Sequence, residues 1–220
     1  MTTDHRLQTT GHGLSSTAYG LAACRLAPSG ESGRIPATQL GSRKLQIRKA
    51  RPADWEACAN LDHSVVTEHA WQMEQHEHEG AITVTFQPVR LPRPLTLRYP
   101  RQGDVLRAGW ERSDLFLVAV SERTVHGYLT ALALPGHGWA WVQDVVVDPA
   151  YRRQGLGRRL MQEAAAWARQ QHLVRLVAEV QTRNYPAICF CRALGLVFCG
   201  YHDRHWRTQE IAALLGQSLH

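Results

Sequence analysis

No apolar run in the 220-residue chain comes near the roughly 20 residues that a helical membrane span requires, so a soluble chain with no membrane partner is expected. Cysteine is scarce. The five present, Cys24, Cys58, Cys189, Cys191 and Cys199, are odd in number, and three of them crowd into eleven residues without metal-type spacing. This argues against a disulfide framework or a cysteine zinc site, and for a reduced, cytoplasmic compartment. Also missing are the G-x-G-x-x-G of dinucleotide folds, the G-K-[ST] ending of a P-loop and any internal repeat.

Acidic residues are scarce at one end only. Residues 1–51 hold eight Lys/Arg against two Asp/Glu, and the rest hold seventeen of each, so the whole formal charge of +6 belongs to the first 51 residues. A globular part of balanced charge speaks against a nucleic-acid partner. Residues 1–43, rich in Thr, Ser, Gly and Pro, are expected to form a disordered basic leader; an organellar presequence or an over-long start would look the same, whereas a secretory signal lacks its apolar core. Residues 44–220 are then one domain.

What is there begins with Leu45 to Ala50, an alternating strand, and a helix after Pro52 carrying Trp55, Ala57, Cys58 and Leu61. From Asp62 to Glu79 run His63, Glu68, His69, Glu74, His76, Glu77, His78 and Glu79, with no i, i+4 histidine pair of the helical zinc type. No metal is expected, and the run is read as a solvated helical face, with Glu74, Glu77 and Glu79 as an acidic rim for a cationic amine. Residues 82–99 alternate in two runs broken by Pro92 and Pro94, which favours an edge hairpin or flap. Leu115 to Val120, Val125 to Leu134 and Trp139 to Val147 make an antiparallel meander. After a helix from about Gly155, Val174 to Val180 returns as a parallel strand. Asn184 caps a helix with Pro186 in its first turn and Gly195 at its end, and Leu196 to Tyr201 and Ile211 to Leu215 close the chain as a strand pair.

The organising stretch runs from Val145 to Gly157. Three β-branched residues, Val145, Val146 and Val147, suit a central strand, and Asp148-Pro149 stops it. A helix start leaves N–H groups unpaired and carries positive potential, so an anion fits there. Gly155 and Gly157 clear the approach, and Arg152, Arg153, Arg158 and Arg159 add charge. The same residues also suit a plain tight turn with a solvated basic face.

R-x-x-G-x-G behind that strand, carried by Arg152, Gly155 and Gly157, resembles the acetyl-CoA signature of the GNAT acetyltransferase superfamily. A second segment, Asn184, Ala187, Ile188, Phe190 and Gly195, resembles its second motif at the proper distance. Within the superfamily, Trp167-Ala168 and the stretch from Glu179 to Ala187 look most like the streptothricin acetyltransferases. The resemblance implies an α+β fold, with a mixed, mostly antiparallel sheet flanked by helices around a parallel β-α-β core. It implies acetyl-CoA as co-substrate, its pyrophosphate on the amides of Arg153, Gln154, Gly155, Leu156, Gly157 and Arg158, its thioester beside Val145 to Val147, Asn184 on the CoA arm and Phe190 packed beneath.

Acetyl transfer to an amine also needs a base and an acid for the departing thiolate. Glu179 stands where some members carry a catalytic glutamate; partial burial would raise its pKa, unless it merely pairs with Arg175 or Arg183. Asp144 is the second choice of base or a structural carboxylate. Many members have tyrosine where this chain has Cys191, which is either the acid or an inert core thiol, its duty passing to water, Tyr185 or Tyr201. The expected partner is a small-molecule amine, cationic and streptothricin- or aminoglycoside-like, or a protein N-terminus or lysine; a non-catalytic acyl-CoA sensor is the reading from another class. The sequence leaves a homodimer open.

Overall fold

The computed structural model describes residues 45–101 and 103–220; the expectations for residues 1–43 lie outside them. The chain runs β1 (Gln46–Lys49), α1 (Trp55–Ala59), β2 (Val65–His78), β3 (Ala81–Leu97), α2 (Gly103–Arg112), β4 (Leu115–Ser121), β5 (Thr124–Leu134), β6 (Trp139–Val147), α3 (Leu156–Gln170), β7 (Arg175–Gln181), α4 (Tyr185–Ala193), β8 (Val197–His202) and β9 (Ala212–Ser218). Seven strands form one sheet in the order β1-β4-β5-β6-β7-β9-β8, antiparallel except for β6 and β7. It is the mixed α+β sheet expected, without a closed barrel. β9 lies between β7 and its own hairpin partner β8, so the last strand seals the sheet beside the crossover.

The sheet is buried on both faces because its strands alternate two apolar sets. Leu115, Leu117 and Ala119 of β4 face α3 and α4 with Leu129, Ala131, Leu176 and Leu215; Val118 and Val120 face the α1 and α2 side with Tyr128, Leu106 and Trp110. α3 presents Leu156, Leu160, Met161, Ala164, Ala165 and Ala168 on one stripe, the spacing of a helix laid on a sheet. Each leucine so buried contributes about 1.5–3 kcal/mol.

One stretch departs from its sequence reading. Residues 65–78 form a strand paired with β3, and the histidines and glutamates there are strand residues of a two-stranded ribbon rather than a helical face. Pro92 and Pro94 fall in Leu91–Pro94, which bulges out where the register jumps from Thr67↔Leu95 to His69↔Arg90, so neither removes a ladder bond. The ribbon stands outside the seven-stranded sheet, as the flap reading implied, and Trp71 N–H donates to Thr182 O at 2.8 Å to tie it to the end of β7. α2 had no counterpart in the sequence reading.

β5 leaves no room for a side chain against β6 at Gly127, where an added Cβ would lie 2.7 Å from Val146 O and 3.3 Å from Val147 Cα. Backbone cannot yield as a flexible side chain can. Gly127→Ala should therefore cost about 1–3 kcal/mol, read as a lower urea midpoint at unchanged slope. An unchanged midpoint would contradict this packing.

Candidate active site

Pairing between β6 and β7 runs only from Trp139↔Arg175 to Val142↔Ala178, although both strands continue. The break coincides with a bulge at Gln143, where the β5–β6 register slips from Ala131↔Val142 to Thr130↔Asp144. A bulge inverts the facing of every later residue. Ala140 and Val142 face the α3 side before it; Val145 and Val147 take that side after it, which turns Asp144 and Val146 toward α1 and α2. Because Asp148 N–H donates to His126 O, the alternation points Val146 at β5 and the N–H groups of Val145 and Val147 at the gap left by β7.

The gap is bridged by one side chain from the segment before α2. Arg101 Nη1 donates to Glu179 Oε1 at 2.6 Å, its Nε and Nη2 donate to Asp144 Oδ1 at 3.1 and 2.8 Å, and Nη2 also donates to Gln143 O. Tyr99 Oη donates to the same Asp144 oxygen, and Thr130, directly opposite in the ladder, donates to Oδ2. Glu179 Oε2 accepts from Trp141 Nε1 at 2.8 Å and from His205 at 2.9 Å. The carboxylates are 2% and 3% exposed and Arg101 is 13% exposed, so this is a buried ionic cluster. Burial alone would raise Glu179; hydrogen bonds from His205 and the Arg101 charge outweigh it and hold the carboxyl below its ordinary range. Burial likewise works against the Arg101 charge, but the Asp144 and Glu179 carboxylates more than offset it, so the guanidinium stays ionised.

Tyr99 and Arg101 also form part of the wall of a cavity of about 890 Å³ between α1, α2 and the β1-side loops, along with Trp55, His63, Asp62 and Trp110. His63 Nδ1 lies 2.6 Å from Leu61 O, so that nitrogen carries the proton and Nε2 accepts from Tyr128 Oη at 2.8 Å. Burial, only partly countered by its backbone bond and nearby acids, keeps this imidazole neutral.

On the other side of β6, the turn into α3 has Arg153 and Gly155 in left-handed conformation, at φ 64° and 83°. The helical ladder starts with Arg159 N–H to Gly155 O, which leaves the amides of Leu156, Gly157 and Arg158 without intrahelical partners. A Cβ at Gly157 would meet the Phe190 ring at 3.1 Å, so this glycine is what lets Phe190 pack against the helix start. Arg152 is spent internally: Nε donates to Val147 O at 2.9 Å and Nη2 to Asp62 O at 3.0 Å, fixing the loop to β6 and to the end of α1.

A bulged strand parted from its parallel neighbour, with a glycine turn and free amides at its end, is matched by comparison with known proteins. The acetyltransferase (GNAT) family model covers residues 69–196. The chain belongs to the GNAT acetyltransferase family. It is an N-acetyltransferase similar to the streptothricin acetyltransferase of Streptomyces lavendulae, 31% identical over 164 residues that make up 70% of this chain and 82% of the relative. A solved nourseothricin acetyltransferase superposes with a TM-score of 0.68 at 26% identity, covering 80% of this chain and 99% of its own. A protein of Bacillus anthracis str. Ames, described as a streptothricin acetyltransferase and solved with acetyl coenzyme A, gives 0.61 at 19% identity over 80% and 98%.

Within this GNAT fold the residues singled out from sequence divide into two groups. Val145 to Val147 and the loop from Arg152 to Arg158 adjoin the gap, and Asp144 and Glu179 meet across it through Arg101. Glu179 differs from expectation: its carboxyl is lowered rather than raised, and its partners are Arg101 and His205 instead of Arg175 or Arg183. Asn184 Oδ1 caps α4 by accepting from Ala187 N–H at 3.1 Å. Cys191 is 4% exposed in the core beneath the sheet, where burial pushes its thiol up to about 12. Glu74, Glu77 and Glu79 lie near the ribbon tip and do not line the cavity, whose acids are Glu56, Asp62 and Asp104. Among the described residues no group of three His, Cys, Asp or Glu could hold a metal ion. Sequence reasoning missed Tyr99, Arg101, Trp141 and His205, which reach the cluster from segments far apart in the chain and carry no local pattern.

The lowered Glu179 carboxyl has a pH signature. It contributes stability that is full above the ordinary glutamate pKa of about 4.3 and is lost as pH falls through the depressed value. Glu179→Gln should be less stable at neutral pH by about 3–5 kcal/mol, since Arg101 loses a counter-charge, and the gap to wild type should close on acidification. Parallel stability curves from pH 7 to pH 3 would contradict the assignment.

Proposed function

We propose that the chain transfers the acetyl group of acetyl-CoA to a primary amine of a cationic small molecule by direct attack in a ternary complex. The observation that carries this reading is the gap between β6 and β7: amides of Val145 and Val147 on one flank, a glycine turn at its end, and two buried carboxylates on the face that meets the cavity. Acetyl-CoA would supply the activated acyl group. The residues present fit it. Free amides at Leu156, Gly157 and Arg158, with the helix dipole, suit a pyrophosphate, and Gly155 leaves open space beside them. The Val145 and Val147 N–H groups are placed to donate to an oxygen that gains charge as the amine attacks. Glu179 and Asp144 favour an acceptor bearing positive charge, and a carboxylate oxygen released from its present donors would take the proton, directly or through water. Likeness to the streptothricin acetyltransferase of Streptomyces lavendulae supports a streptothricin-like acceptor.

Release of free thiol from acetyl-CoA should be stimulated by streptothricin and by other polycationic amines, and far less by neutral amines or a peptide N-terminus. Tight acetyl-CoA binding without thiol release for any amine would replace this reading with that of a non-catalytic sensor. Gly157→Ala, by pushing Phe190 off the helix start, should raise the KM for acetyl-CoA about three- to tenfold, ~0.7–1.4 kcal/mol, with little change in the KM for the amine. An equal effect on both would place the glycine in the general scaffold.

A further inference from the structure

Every oxygen of the two buried carboxylates already accepts a hydrogen bond. Asp144 Oδ1 serves Tyr99 and Arg101, and Oδ2 serves Thr130; Glu179 Oε2 serves Trp141 and His205, and Oε1 serves Arg101. In this arrangement neither carboxylate has an oxygen free for an incoming amine. Of all these donors only Arg101 is at once a full cation, attached to both carboxylates and part of the cavity wall from which an acceptor must arrive. Tyr99 also lines that cavity but is neutral and bonds only one of the two.

Resting on the N-acetyl-transfer reading above, we propose that Arg101 is a displaceable stand-in for the acceptor: its guanidinium fills the cation slot between Asp144 and Glu179 in the free enzyme and yields it to the acceptor's ammonium group. The exchange keeps the charge in the slot constant. That is the condition for it to proceed, because two buried carboxylates stripped of their cation would carry an uncompensated desolvation cost. Withdrawal of Arg101 frees Glu179 Oε1, since no other donor among the described residues is bonded to it, and that oxygen then faces the amine. The displaced guanidinium stays in a cavity that also carries Glu56, Asp62 and Asp104. The acceptor class follows: an amine that enters as a cation, since a neutral group would have to expel Arg101 and leave the pair uncompensated. Arg101 thus acts as a specificity and positioning residue, working through the two carboxylates.

The test is Arg101→Met, which keeps the aliphatic stem and removes the charge, studied with guanidinium chloride at low millimolar concentration as a small cation probe. Calorimetry should show guanidinium ion binding to the variant at least tenfold more tightly than to wild type, with acetyl-CoA affinity unchanged. Guanidinium should inhibit amine acetylation by the variant competitively with the amine, and the KM for the amine should fall. Equal guanidinium binding to both proteins overturns the proposal whether or not any amine is turned over. So does restoration of lost kcat by guanidinium, which would make Arg101 a fixed strut. Should the variant fail to fold, wild-type protein with labelled arginine side chains decides. The protected Arg101 Nε–H resonance should move to a solvent-exposed position as streptothricin saturates the CoA-bound enzyme, and a resonance that stays protected while turnover proceeds overturns the proposal and leaves the N-acetyl-transfer reading intact. Absence of turnover with every amine, against guanidinium binding as predicted, would sink that reading alone.

Discussion

The parting of β6 from β7 after Val142 and Ala178 is the constraint on which the rest of the molecule depends. Two parallel strands in the middle of a sheet would ordinarily satisfy each other along their whole length, and separating them exposes amides and carbonyls that must find other partners. The bulge at Gln143 accomplishes the separation and the repointing together. It places Asp144 on the cavity face, and it leaves Val145 and Val147 amides directed into the gap. The glycine turn and α3 then begin where the gap is open, so that a helix start with unpaired amides and an amide-lined slot share one end of one strand.

A gap of this kind is unstable unless something spans it, and here the span is ionic. Asp144 and Glu179 face each other as buried like charges, and Arg101 converts repulsion into a paired cluster. Removing the desolvation cost by apolar replacement would be the more stabilising solution in general. Retaining a charged cluster at the junction of cavity and cleft is consistent with use: the same carboxylates that need a cation for stability can recognise one in a substrate. The depressed Glu179 carboxyl is thus a property of the arrangement with His205 and Arg101 in place, and burial alone would raise it.

What could be seen in the sequence was local. The strand from Val145, the turn through Gly155 and the Asn184 cap with Pro186 and Gly195 each announce themselves within a dozen residues, and all form as expected. Phe190 was singled out as a motif residue, but its packing against Gly157 at the helix start was not anticipated. The ribbon strand at residues 65–78 was hidden because its far half is solvated on both sides, so the alternation of Thr67, His69, Trp71 and Met73 is diluted by Gln, Glu and His on the other face. Arg101 and His205 were hidden for a different reason. Their partners are 42 to 78 residues away for Arg101 and 26 for His205, and pairing over such separations leaves no periodicity.

The most direct measurement is backbone amide hydrogen exchange, residue by residue, with and without CoA. If the gap and the turn form one binding surface, Val145, Val147 and the amides from Gln154 to Arg158 gain protection together on adding CoA, while Tyr128 and Val146, already committed to the β5–β6 ladder, stay as they were. Protection confined to exposed side-chain neighbours, or absent from Val145 and Val147 while CoA is bound, would contradict the account.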